Sequence, residues 1–82
     1  MEILPLHREI EEYLKKHKLE KKFLKQSRFL KSDIRHPGLR VELLEPKHLR
    51  LFSFRIDDRY RVVFIFHNSR TIEILDVNDH YQ

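Results

Sequence analysis

An α+β fold, with an N-terminal helical hairpin packed on one face of a small twisted antiparallel sheet, is what this sequence predicts. Hydrophobic residues recur at helical spacing up to Pro37-Gly38 and at a period of two after it, with no repeat, low-complexity stretch or linker. The length of 82 residues, 40% of them hydrophobic, suffices for one modest core. A single domain over residues 1–82 is therefore expected, without a cleft between sub-domains. That excludes most cofactor-dependent enzymes.

Ile3, Leu4 and Leu6 around Pro5 read as a short edge strand, because proline is tolerated in a sheet only at an edge. From Arg8, the positions Ile10, Tyr13, Leu14 and His17 fall at i, i+3, i+4 and i+7 and make one helical face. After a phase shift near Lys18, Leu19, Phe23, Ser27, Leu30 and Ile34 continue at helical spacing. Two antiparallel helices joined around residues 17–19 fit that break. Lys21, Lys22, Lys25, Arg28 and Lys31 lie off the second apolar stripe, either as a solvated face or as a grip for a polyanion. His36-Pro37-Gly38 ends the helix: the residue before proline is pushed out of helical geometry and glycine accepts the turn. One glycine in the whole chain predicts few left-handed turns.

After Gly38 the alternating segments are Leu39 to Leu44, Leu51 to Ile56, Tyr60 to Phe66 and Thr71 to Val77, a predicted antiparallel meander. The loop around Asp57-Asp58 decides which side chains share a face. A two-residue loop pairs Phe54 with Arg61 and buries a guanidinium beside the core. A three-residue loop at 57–59 pairs Arg55 with Arg61 and Phe54 with Val62. The second register collects Phe52, Phe54, Ile56, Tyr60, Val62, Phe64 and Phe66 under the helices and leaves Leu51, Ser53, Arg55, Arg61, Val63 and Ile65 on the opposite face. We expect that register, since burying an unpaired guanidinium is costly. Two arginines directly across a strand pair repel each other. The exposed face is then either an anion site or a surface network with Asp57, Asp58 or Asp76.

Seventeen Lys and Arg against thirteen Asp and Glu give +4 with histidine neutral. Residues 15–40 hold ten bases and two acids, Glu20 and Asp33, so a polyanion is the natural partner of that segment. The chain has no cysteine, hence no disulfide framework and no thiolate metal site, and a cytoplasmic location is expected. No signal peptide and no apolar run of membrane-spanning length are read in it. His7, His17, His36, His48 and His67 are spaced too widely for a local two-histidine metal pattern, so no metal or other cofactor is expected.

The run Phe54-Arg-Ile-Asp-Asp-Arg-Tyr-Arg-Val-Val-Phe-Ile-Phe66, the segment Ile72-Glu-Ile-Leu-Asp-Val-Asn-Asp-His-Tyr81 and the turn His36-Pro37-Gly38-Leu39 resemble the RelE/ParE superfamily of toxins. The resemblance spans essentially the whole chain. It implies the fold read above, with the sheet face away from the helices as the active surface. RelE- and YoeB-like members are ribosome-dependent mRNA endonucleases, whereas ParE-like members poison DNA gyrase, so function has to be argued from the site.

Carried over residue by residue, the resemblance makes Arg61 the contact to the scissile phosphate, Arg55 its assistant, Glu42 a candidate general base, His80 a candidate general acid and Tyr81 the following aromatic. Gln82 is an extension beyond the family pattern, and lysines often stand in RelE-like members where Glu42 stands, so the match is to a YoeB-type site. Competing structural readings are a surface pair of Glu42 with Arg40 or Arg61, a surface His80 beside Asp79, and packing for Tyr60. The implied chemistry is metal-independent attack of the ribose 2′-OH on the adjacent phosphate, with proton transfers by Glu42 and His80 and charge stabilisation by Arg61 and Arg55. Implied partners are the ribosome and its mRNA, gripped by the second helix and Arg40, and an acidic antitoxin. The alternatives are a gyrase inhibitor without nuclease activity and a degenerate RNA-binding module.

Overall fold

In the computed structural model, which describes residues 1–80, the change of period near Pro37 separates two helices from a sheet, although the second helix already ends at Ser32, before the His36-Pro37-Gly38 stop expected for it. Helix α1 (Arg8–Lys16) buries Ile10 and Leu14, and carries Glu9 and Glu11 in its first turn and Lys15 and Lys16 in its last. Both ends thus complement the helix dipole. Lys18 takes a left-handed conformation (φ 56°) that reverses the chain into α2 (Glu20–Ser32). Leu19, Phe23, Ser27 and Leu30, the predicted stripe, are buried, with Ile34 partly so. Ser27 Oγ satisfies itself within the helix by donating to the Phe23 carbonyl at 2.8 Å.

The sheet comprises β1 (Glu2–Ile3), β2 (Glu42–Leu43), β3 (Phe52–Arg55), β4 (Arg61–Asn68) and β5 (Thr71–Asn78), in the spatial order β1-β5-β4-β3-β2. The β1 edge strand runs parallel to β5, and the other pairs are antiparallel. Helices cover one face. Phe54, Val62, Phe64, Ile72 and Ile74 from the sheet meet Leu14, Phe23 and Leu30 there, all at most 6% exposed. Each such side chain contributes about 1.5–3 kcal/mol by leaving water.

Three local expectations are corrected. No strand begins at Leu39: Pro37–Leu39 is a 3₁₀ turn in which His36 Nδ1 accepts from the Gly38 N–H at 3.1 Å, and only Glu42–Leu43 pairs as strand. The left-handed residue of this turn is Arg40 (φ 47°, ψ 54°), not Gly38. Glycine serves a different purpose there, since a Cβ would sit 3.1 Å from the His36 ring, itself stacked on Phe29 at 3.9 Å. The third correction lies in β5, where strict alternation from Ile72 and Ile74 would turn Val77 away from the core. A register shift between Val63↔Asp76 and Phe64↔Ile74 leaves Leu75 as an extra residue, so Val77 is buried and Leu75 is 40% exposed. Bulges of this kind re-aim side chains, often beside functional sites.

Candidate functional site

The three-residue loop at 57–59 folds because Asp57 Oδ1 accepts the backbone N–H groups of Arg59 and Tyr60 at 2.9 and 2.8 Å. Burial pushes the Asp57 carboxyl up, but the Lys22 ammonium at 2.9 Å and those two N–H groups bring it below the usual carboxylate range. The loop sets the register: Arg55 lies opposite Arg61, Phe54 opposite Val62 and Ser53 opposite Val63. Two rows then cross the sheet on the face away from the helices. One is Glu42, Ser53, Val63 and Asp76; the other is Arg55, Arg61 and Asn78. The Leu75 bulge is what brings Asp76 and Asn78 onto this face.

Arg61 is on the expected face but is not exposed there. It is 6% accessible, and its guanidinium lies diagonally over β3. Nε donates to Ser53 Oγ at 3.1 Å, and Nη2 donates to the same oxygen at 2.9 Å and to the Arg40 carbonyl at 2.6 Å. This corrects the expectation of an open guanidinium: polar partners on the face away from the helices make its burial tolerable. Arg55 diverges from Arg61 toward Asp58 at 3.6 Å and stays 31% exposed. Arg55 thus makes one ion pair of the kind the surface-network alternative describes, and the cross-strand repulsion is eased by turning the two side chains apart. Arg55 Nε is buried without a hydrogen-bond partner among the described residues.

Glu42 is partly buried on β2, directly across from Ser53 and hence on the side toward which the Arg61 guanidinium leans. His80 follows two residues after Asn78, the strand partner of Arg61, and its backbone N–H donates to Asn78 Oδ1 at 3.1 Å. Asn78 Nδ2 donates in turn to Asp76 at 2.8 Å. The row thus fixes where the chain leaves β5. Tyr81 and Gln82 lie outside the described residues. Tyr60 is core: it is 9% exposed, packed edge-on to Tyr13, with its hydroxyl 3.3 Å from His17 Nδ1.

Lys21, Lys22, Lys25, Arg28 and Lys31 are all exposed on α2, on the other side of the sheet from Arg61. The two basic regions meet at the end of β3, where Lys22, Lys25 and Arg55 line one groove with Asp57 and Asp58. Gln26 clamps the groove floor, donating to the Arg55 and Gly38 carbonyls at 2.6 and 3.0 Å. Ser53, Asn78 and the Arg40 carbonyl were not identified from sequence. A serine in the middle of an apolar strand, two residues before Arg55, is the one signal that pointed to any of them.

Among the described residues, no group of three or more His, Cys, Asp or Glu is arranged to hold a metal ion, and no helix is long and apolar enough to cross a membrane. A protein-family model described as RelE-like toxin of type II toxin-antitoxin system HigB matches residues 5–80. No curated protein matches the chain significantly. Among solved structures, the chain is similar to a YoeB/ParE toxin from Agrobacterium tumefaciens, with 20% identity over 99% of this chain and 100% of that one, at a TM-score of 0.65. That likeness shows the fold: two N-terminal helices on a five-stranded, mostly antiparallel sheet.

Proposed function

This chain belongs to the HigB-like members of the RelE-like toxins of type II toxin–antitoxin systems, and on that premise we propose that it cleaves mRNA on the ribosome, using the 2′-OH of the substrate as nucleophile. Type II toxins bind a cognate antitoxin, and toxins of this family are typically ribosome-dependent mRNA endonucleases. The observation that supports the nuclease reading is that Glu42, Arg61 and Arg55 share one sheet face, with His80 two residues beyond Asn78, the strand partner of Arg61.

Cleavage by internal attack needs a group to take the 2′-OH proton, a group to protonate the departing 5′-oxygen, and positive charge on the pentacoordinate phosphorane. Glu42 and His80 share the two proton transfers, each worth roughly 10²–10⁴-fold. Arg61 supplies charge that is held in place before the substrate arrives, so little reorganisation accompanies the reaction. Arg55, with its exposed end, meets the phosphate from solvent. The bond broken is P–O5′, and the products are a 2′,3′-cyclic phosphate, or the 3′-phosphate formed from it, and a 5′-hydroxyl.

The exposed bases of α2 grip ribosomal RNA phosphates, an attachment that depends on salt and not on sequence. Their continuity with Arg55 through the shared groove supports a single polyanion path from helix to site. The antitoxin, on this reading, is acidic where it meets that path.

The test is to incubate the protein with programmed ribosomes, map the mRNA ends, and run a gyrase supercoiling assay beside it. Cleavage at the A-site codon with unaffected gyrase is expected. Intact mRNA with inhibited gyrase would sink the nuclease reading in favour of a ParE-like inhibitor, and intact mRNA with normal gyrase would favour a non-catalytic RNA-binding module.

A further inference from the structure

We propose that Ser53, acting with the backbone carbonyl of Arg40, is the positioning residue for Arg61, an inference that rests on the nuclease reading above. An arginine side chain standing on a sheet surface has four rotatable bonds and much rotamer freedom to lose. Arg61 has lost it. Three of its hydrogen bonds go to two oxygens: Ser53 Oγ on the neighbouring strand β3, at 3.1 and 2.9 Å, and the Arg40 carbonyl on the segment leading into β2, at 2.6 Å.

Ser53 is suited to this by what it lacks as much as by what it offers. Its hydroxyl oxygen has two acceptor lone pairs, and Nε and Nη2 reach the same oxygen side by side. An aspartate there would also hold the arginine, but it would neutralise the charge that the phosphorane needs. Serine fixes the guanidinium and leaves it cationic. The residue is 1% exposed, deeper than any other polar side chain among the described residues, although it lies on the face away from the helices. Arg61 itself, lying across it, helps to exclude water.

Arg40 contributes through its backbone. Its left-handed conformation (ψ 54°) sets the direction of its carbonyl, which at the ψ of roughly 135° typical of a strand would point elsewhere. A non-glycine residue in this region is uncommon, and backbone strain of this kind gathers at functional sites. Here the strained peptide accepts from a charged donor, one of the stronger classes of hydrogen bond. Glu42 follows two residues later, so the segment that holds Arg61 also delivers the candidate base.

A group placed before the substrate binds raises the rate of the chemical step and not the affinity for the ribosome. Single-turnover cleavage on programmed ribosomes therefore separates positioning from binding. Ser53→Ala should slow the chemical step by roughly tenfold or more at an unchanged half-saturating concentration, and Ser53→Thr, which keeps the hydroxyl, should restore most of the rate. A second measurement does not depend on activity or on the variants folding. In the wild-type protein, the Arg61 Nε–H should exchange with solvent more slowly than that of the exposed Arg28, as followed by ¹⁵N NMR. A Ser53→Ala protein that cleaves at the wild-type rate, or an Arg61 Nε–H that exchanges as fast as that of Arg28, overturns the proposal. A wild-type protein that leaves mRNA intact removes the nuclease reading, and with it the catalytic purpose, while the exchange measurement still decides whether Arg61 is held.

Discussion

Replacing Arg61 by lysine keeps the charge and should nonetheless disable the protein. Lysine has a carbon where arginine has Nε, so the 3.1 Å bond to Ser53 Oγ is lost outright. Its ammonium ends one bond short of Nη2, the atom that reaches both Ser53 Oγ at 2.9 Å and the Arg40 carbonyl at 2.6 Å. At least one charge-assisted hydrogen bond therefore disappears from a site that is 6% exposed, at a cost of about 2 kcal/mol. For a domain of this size the melting temperature should fall by about 8–16 °C. Cleavage should suffer more, by roughly 10²–10³-fold, the usual loss when one preorganised donor is removed from a reacting centre. Thermal unfolding by circular dichroism and single-turnover cleavage on programmed ribosomes read the two effects separately. An Arg61→Lys protein that melts with the wild type and cleaves at its rate would refute the claim that the forked geometry, and not the charge alone, is what matters.

His80→Gln and Glu42→Gln should each slow cleavage by about tenfold or more if the side chains move protons; an unchanged rate in either variant returns that residue to a surface role. Replacing Lys21, Lys25, Arg28 and Lys31 by glutamine should weaken attachment to ribosomes and flatten the slope of log affinity against log salt by roughly 0.7–0.9 for each phosphate no longer neutralised. The same slope in wild type and variant would remove α2 from the docking surface. A pH effect is expected at the far end of the sheet, where Nε2 of His7 and of His67 lie 2.6 and 2.7 Å from the Glu73 carboxylate. Hydrogen bonds from His67 and then His7 hold the Glu73 carboxyl below the usual carboxylate range. A depressed carboxylate adds stability above its unfolded pKa and loses it as pH falls through the folded value. Glu73→Gln should thus melt below the wild type at neutral pH and level with it in strong acid. Equal melting at neutral pH would show that the bridge adds nothing.

What the sequence disclosed depended on whether the deciding interaction was local. The Arg55–Arg61 register was legible because only one loop length at 57–59 keeps a guanidinium out of the core under the helices, and Asp57 sits where that loop needs an acceptor. The helical hairpin was legible from the stripe of Leu19, Phe23, Ser27 and Leu30. The burial of Arg61 was not, because it depends on the direction of the Arg40 carbonyl, and a non-glycine residue gives no signal that it will turn left-handed. Nor was the turn of Asp76 and Asn78 onto the same face as Arg61, because reading Thr71 to Val77 as one alternating strand passed over the adjacent Ile74 and Leu75, where the bulge lies. The parallel pairing of β1 with β5 joins the two ends of the chain, and no local pattern announces it.

The most direct measurement of the central claim is the chemistry of the cut ends. Attack by the 2′-OH, with Glu42 and His80 moving protons and Arg61 and Arg55 carrying the charge, predicts a 2′,3′-cyclic phosphate or 3′-phosphate on the upstream mRNA fragment and a 5′-hydroxyl on the downstream one. It also predicts no cut when the nucleotide before the break carries a 2′-O-methyl group. Fragments ending in 3′-hydroxyl and 5′-phosphate, or cleavage that survives the methyl group, would contradict it.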